Sequence, residues 1–289
     1  MKFRSAEHGY SRLDYRTGIQ RRALSLRNRL YRSRSDTRQW ELLIVDDGST
    51  DNTLALAQQF GSRDARIRCL HQDNAGVSAA RNMAITAACP QTKYVAFLDA
   101  DDLWDADALE LMVGMLETDP EAVETHGLAR EIDSAGNPIE GSQREAWGRN
   151  RRYIEGRKLL KKELNEPTTF SSVVYDPCFL PSASMVRHSI LKAVGSFDTS
   201  LHYAEDQDMW LRITRFGHLI FINRAICSYR RHDASAMSKG NKQDIARRTY
   251  VRERMFSSAA VSRSASPRRR FLVSISCPAK VSVDDGFIA

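Results

Sequence analysis

Glu41-Leu42-Leu43-Ile44-Val45-Asp46-Asp47-Gly48-Ser49-Thr50-Asp51-Asn52-Thr53 decides how the rest of the chain is read. Its apolar run is too short for a helix and suits a buried strand. The run halts at two acids, a glycine and a serine, which is turn chemistry. Asp51, Asn52 and Thr53 then offer caps for a helix over Leu54–Phe60, and Gly61 ends it. The same alternation continues downstream. Arg66–His71 reads as a second strand, and Val77–Ala88 as an Ala-rich helix closed by Pro90. Tyr94-Val95-Ala96-Phe97-Leu98 is a third buried strand, stopped at Asp99-Ala100-Asp101-Asp102, with a helix over Ala106–Leu116. Three such alternations predict an α/β fold with a mostly parallel sheet and right-handed crossovers.

The second half is less regular. Val123–Ile132, the turn Asp133–Pro138 and the residues beyond it resemble a hairpin. Residues 141–168 are charged and loop-like, with a Lys/Arg-rich helix expected near Ile154–Leu164. A strand over Phe179–Val186, a short helix over His188–Val194, a turn at Gly195–Asp198, a helix over Glu205–Phe216 and a strand over Leu219–Tyr229 follow. No internal repeat is visible, and the Ser/Arg-rich stretch from Ser257 receives no structure.

Composition narrows the class. Of 289 residues, 42% are apolar and 27% charged, which excludes a wholly disordered chain. No stretch approaches the roughly 20 apolar residues of a spanning helix, and the start lacks the apolar core of a secretory signal. Five separated cysteines, an odd number with no C-x-x-C pair, read as buried thiols in a reducing, cytosolic setting. The net charge of +7 is uneven. Residues 1–40 carry eleven Lys/Arg against three acids, and residues 257–289 carry five against two, leaving −4 for residues 41–256. Basic ends around an acidic body argue against a nucleic-acid reader. They suit solvated tails or contact with an anionic membrane surface.

In an open parallel sheet, ligands bind beyond the carboxyl ends of the strands. Two strands end there in acids: Asp46-Asp47, and Asp99 with Asp101 and Asp102. Crowded carboxylates need a cation or a set of donors. The D-x-D spacing suits a hard divalent ion that completes its shell with phosphate oxygens. A plain polar turn at Asp46–Ser49 is the alternative. A calcium loop over Asp99–Glu110 is excluded, because Leu103 and Trp104 occupy positions that need a ligand and a glycine.

Leu42–Thr53 (LLIVDDGSTDNT), Asn74–Asn82 (NAGVSAARN), Val95–Trp104 (VAFLDADDLW), Gly195–Asp198 (GSFD) and Glu205–Arg212 (EDQDMWLR) together resemble the family 2 glycosyltransferases of the GT-A fold. The resemblance covers about residues 39–236. It implies a Rossmann-like sheet flanked by helices, and an inverting transfer from a nucleotide-diphosphate sugar, UDP-linked by expectation, to a glycan or lipid-linked acceptor in cell-envelope polysaccharide synthesis. On that resemblance Asp46 and Asp47 contact the nucleotide base, Arg81 the nucleotide or its phosphates, and Asp99 the ribose. Asp101 holds Mn2+ or Mg2+, and Asp206 is the general base. His232 reads either as a metal ligand near the diphosphate or as an exposed loop histidine. Leu180–Val186 lies where the family lines its acceptor side.

The match fails at the start. Residues 1–38 form an atypical basic segment in which the family's first strand is not recognisable, and residues 237–289 read as a C-terminal helix and a basic tail. A nucleotidyltransferase would need a Gly-rich, basic phosphate loop that the sequence lacks. A catalytically impaired homologue, binding nucleotide or a partner without turnover, is the second expectation. The site of action is expected in the cytoplasm, with peripheral contact at the inner face of the membrane.

Overall fold

The structure is a computed structural model that describes residues 40–142, 144–155, 158–175, 179–201, 204–231 and 286–288. The expected basic N-terminal segment, His232, the C-terminal helix and most of the tail lie outside those residues.

Strands β1 (Glu41–Asp47), β2 (Ile67–Gln72) and β3 (Tyr94–Ala96) alternate with helices α1 (Thr53–Gly61), α2 (Val77–Ala87) and, after the two-residue β4 (Leu103–Trp104), α3 (Ala108–Thr118). The second half adds β5 (Ala122–Ile132), α4 (Arg144–Arg149), the hairpin β6 (Arg152–Glu155) and β7 (Lys158–Lys161), and α5 (Phe170–Tyr175). After them come β8 (Ser184–Arg187), α6 (His188–Val194), α7 (Glu205–Ile213), β9 (His218–Arg230) and β10 (Gly286–Ile288). Eight strands form one sheet in the order β2-β1-β10-β3-β8-β5-β9-β4. The pairs β1–β2, β1–β10, β10–β3 and β5–β9 are parallel, and the others antiparallel.

Apolar runs without alternation mark strands covered on both faces. Leu43, Val95 and Val186 pack into one buried cluster with Ile85, Leu191, Met209 and Trp210. Their chain neighbours Leu42, Ala96 and Met185 face the other side, with Phe60, Met112, Val113 and Leu116. Helices α2, α6 and α7 therefore cover one face, and α1 and α3 the other. Strand β10 occupies the place between β1 and β3 that would otherwise leave the parallel half open.

Several expectations are corrected. The helix expected near Ile154–Leu164 is the antiparallel β6–β7 hairpin, paired from Arg152↔Lys161 to Glu155↔Lys158. Gly156 would cost a helix interior about 1 kcal/mol there. The hairpin expected after Val123 is nearly absent, reduced to a single bridge between Ile132 and Pro138. Strand β5 instead pairs with β8 and, over most of its length, with β9, because eight of its residues in a row are buried and both its edges need partners. The strand expected over Phe179–Val186 is interrupted by a 3-10 turn at Pro181–Ala183, where proline supplies no ladder donor.

Candidate active site

Strands β1 and β3 run parallel through β10, so their carboxyl ends and both acidic turns open on the same edge of the sheet. Asp46 is buried, and its Oδ2 meets Nδ1 of His71, its register partner on β2, at 2.8 Å. Asp46 Oδ1 is buried without a hydrogen bond among the described residues. Asp47 points the other way. Its carboxylate accepts from Gln72 Nε2 at 2.7 Å and from the backbone N–H groups of Ala75 and Gly76, both at 2.9 Å. Burial alone would raise its pKa, but those three donors outweigh it and hold the carboxyl below its ordinary value. Gly48 has φ +73°, which lets the chain turn back against Asn74.

The second acidic turn follows β3. The Asp99 N–H donates to Ser182 Oγ at 3.0 Å, and the Asp102 N–H to Asp99 O at 3.0 Å. Asp102 is buried, with Oδ1 accepting the Arg230 N–H at 3.0 Å. Its Oδ2 has no hydrogen bond of normal geometry among the described residues, though the nearby Ser182 hydroxyl favours the ionised form. Burial, followed by the charge of Asp99, pushes the Asp102 carboxyl up to about 7. Asp99 and Asp101 remain partly open to solvent on the sheet edge.

Helix α2 joins these turns to a third acidic element. It begins at the Ala75-Gly76 turn that binds Asp47, and its Arg81 is buried. One guanidinium nitrogen donates to Asp99 Oδ1 at 2.7 Å, and the other to Glu205 Oε1 at 3.1 Å. The guanidinium also lies 5.2 Å from the Phe197 ring centre. Burial disfavours its charge, but Asp99 and Glu205 outweigh that and hold the proton more firmly than usual. The next residue, Asn82, exchanges two hydrogen bonds with the Phe197 backbone, both 2.8 Å, fixing the Gly195–Asp198 turn that leads into α7.

Glu205, Asp206 and Asp208 fill the first turn of α7, where acids oppose the positive end of the helix dipole. The Gln207 N–H donates to Asp206 Oδ1 at 2.7 Å. Burial, followed by the negative charge of Asp206, raises the Glu205 carboxyl to about 7 despite Arg81. Asp208 pairs with Arg212 along the helix at 2.7 Å.

Asp99 and Asp206, which the sequence singles out together with Arg81, thus both bear on the buried Arg81 guanidinium, Asp99 by a hydrogen bond and Asp206 by its charge. Asp46 and Asp47 lie along the same sheet edge. Glu205 is the member of this group that sequence reasoning missed; its adjacency to Asp206 was the available signal. Among the described residues no three His, Cys, Asp or Glu side chains gather as a metal cage. Two half-open carboxylates on a turn fit a cation that brings diphosphate oxygens with it, and do not enclose one unaided.

An α/β sheet with two acidic turns on one open edge, closed over by a helix that carries further acids, defines a GT-A-type protein. The chain belongs to glycosyl transferase family 2, whose profile matches residues 16–178 and so begins inside the basic N-terminal segment. It is 49% identical over 72 residues to TuaG of Bacillus subtilis, a glycosyltransferase named for teichuronic acid biosynthesis; the match covers 25% of this chain and 28% of that one. The chain thus spans well under half the length of that relative. It is 26% identical over 214 residues to Escherichia coli WfgD, a UDP-Glc:alpha-D-GlcNAc-diphosphoundecaprenol beta-1,3-glucosyltransferase, covering 73% of each. The fold matches the mannosyltransferase PcManGT of Pyrobaculum calidifontis, solved with GDP-Man and Mn2+, with a TM-score of 0.51 at 16% identity over 86% of this chain and 72% of that one.

Proposed function

We propose that this chain is an inverting, divalent-cation-assisted glycosyltransferase. It moves a sugar from a nucleotide-diphosphate donor, UDP-linked by preference, to a glycan or lipid-linked acceptor in cell-envelope polysaccharide synthesis. The observation that carries this reading is the buried Arg81, which joins Asp99 at the end of β3 to Glu205, the neighbour of Asp206 on α7. A donor lying along the sheet edge would have its diphosphate near the Asp99–Asp102 turn and its sugar toward α7.

In that arrangement Asp46 and Asp47 would line the base end, and Asp99 the ribose. The Asp206 carboxylate takes the proton from the acceptor hydroxyl as that oxygen attacks the anomeric carbon. The bond from that carbon to the diphosphate oxygen breaks, and its electron pair leaves with the nucleotide. Attack opposite the leaving group inverts the configuration in one displacement. Asp101, with His232, is assigned to hold Mn2+ or Mg2+; when bound, the ion supplies positive charge beside the departing diphosphate. The undecaprenol-linked substrate for which WfgD is named and the Mn2+ found with GDP-Man in PcManGT support this reading. A nucleotide sugar and a lipid-linked acceptor would meet at the cytoplasmic face of a membrane, which is where we place the reaction.

The test is release of nucleoside diphosphate from a panel of UDP-sugars with Mn2+ and acceptor. Release that is lost in both Asp101→Ala and Asp206→Asn supports the transferase. Nucleotide binding without turnover across the panel would mark an impaired homologue instead.

A further inference from the structure

The β6–β7 hairpin concentrates charge of one sign. Residues 149–166 contain seven Lys/Arg against three acids, a local +4 inside a stretch, 41–256, that totals −4. The rest of that stretch is therefore −8. The hairpin also carries exposed apolar side chains: Leu159 is 43% exposed, and Leu164, just beyond β7, is 45% exposed. Strand alternation and the pairing of Arg152 with Lys161 place Leu159, Lys161 and Arg152 on one face. On the other face Lys162 Nζ lies 4.6 Å above the Tyr153 ring, and Leu160 is half-buried.

The stem is held firmly. Arg151, 1% exposed, donates to Glu163 O at 2.6 Å, Glu166 O at 2.8 Å and Thr168 Oγ1 at 3.1 Å, with its guanidinium 3.8 Å from the Phe221 ring centre. Behind the hairpin lies α5, which packs between β6 and α7. Gln207 of α7 donates from Nε2 to Val173 O of α5 at 3.2 Å, and from its N–H to Asp206. The basic, leucine-bearing face is thus one helix away from the acids of α7.

We propose that the Leu159 face of the β6–β7 hairpin docks on an anionic membrane surface, with Arg152 and Lys161 meeting headgroups and Leu159 and the nearby Leu164 entering the interface. This deepens the transferase reading and rests on it for its purpose: docking on this side presents a lipid-anchored acceptor toward Asp206. Arg152 and Lys161 draw the face to negative headgroups, and leucines add a burial that a soluble acidic polymer would not reward.

Vesicle co-sedimentation of the full chain tests this, with phosphatidylcholine alone or mixed with phosphatidylglycerol, comparing Arg152→Glu/Lys161→Glu and Leu159→Ser/Leu164→Ser with the parent. At roughly fivefold per basic charge, the charge pair is expected to weaken partition to anionic vesicles by about 30-fold or more. The leucine pair should weaken it by about tenfold. Both should leave the melting temperature within a few degrees of the parent, since Leu159, Lys161 and Leu164 are exposed and Arg152 is half-exposed. Parent-like partition of the charge variant would overturn the proposal and assign binding to the basic ends. Sensitivity to the charges but not to the leucines would also overturn it, in favour of an acidic polymer. Transfer to a water-soluble acceptor is a separate readout: its absence counts against the transferase, while the vesicle result stands by itself.

Discussion

Gly48 offers a measurable test of how the edge of the sheet beyond β1 is built. The residue has φ +73°, and an added Cβ would sit 2.7 Å from the Asn74 backbone nitrogen and 3.2 Å from its Cα. An L-residue in this left-handed region costs about 1–2 kcal/mol. The contact with backbone cannot be relieved by a rotamer change, so the two loops must part, adding about 1–3 kcal/mol. Gly141 provides the gauge. Its φ is +71°, but a Cβ there meets nothing within 4 Å, so Gly141→Ala carries the conformational cost alone. At about 2–4 °C per kcal/mol for a domain of this size, Gly48→Ala should melt about 2–12 °C below Gly141→Ala. Parting the loops also strains the bonds from Ala75 and Gly76 to Asp47, so uridine nucleotide affinity should fall in Gly48→Ala and hold in Gly141→Ala. Thermal denaturation by circular dichroism and nucleotide titration measure both. Equal melting temperatures would refute the close approach of the two loops.

Arg81→Met should lose about 3 kcal/mol, because it leaves Asp99 and Glu205 facing each other without a cation; Arg81→Lys should recover part of this, and denaturation of the three proteins checks the order. Glu205 has a folded pKa of about 7 against an ordinary 4.5, so its protonated form is favoured in the native state. Its contribution is full below the ordinary value and is lost as pH rises through about 7. Glu205→Gln should therefore gain up to about 3 kcal/mol on the parent between acidic and mildly alkaline pH. A stability difference that does not change with pH would refute the raised value. Arg151→Met should strip donors from Glu163 O, Glu166 O and Thr168, costing about 3 kcal/mol. Amide exchange in residues 152–161 should then quicken well before global unfolding, as read by hydrogen–deuterium exchange.

The first half of the fold was legible because each strand there is a buried apolar run and each crossover a short amphipathic helix. Val95 and Ala96 need only be apolar to serve opposite faces. The second half depends on partners distant in sequence. Strand β5 finds β9 with register shifts along the way, and no local pattern announces that. The Lys/Leu spacing of residues 154–164 satisfies a helix as readily as a hairpin, and only Gly156 argues for the turn. The acids of the site stood out because carboxylates clustered at strand ends are costly without a purpose. The pairing of Arg81 with Glu205, 124 residues away, belongs to the fold and to no motif. Gly286–Ile288 is too short to carry a pattern at all.

That last strand bears on how the protein is made. A ribosome delivers β1 and β3 early, yet residues 286–288 must arrive before the two are joined across the middle of the sheet. Until then the nascent chain holds two strand edges with unsatisfied amides, an invitation to pair with a neighbouring polypeptide. Pairing across this half of the sheet therefore waits until residues 286–288 have been made.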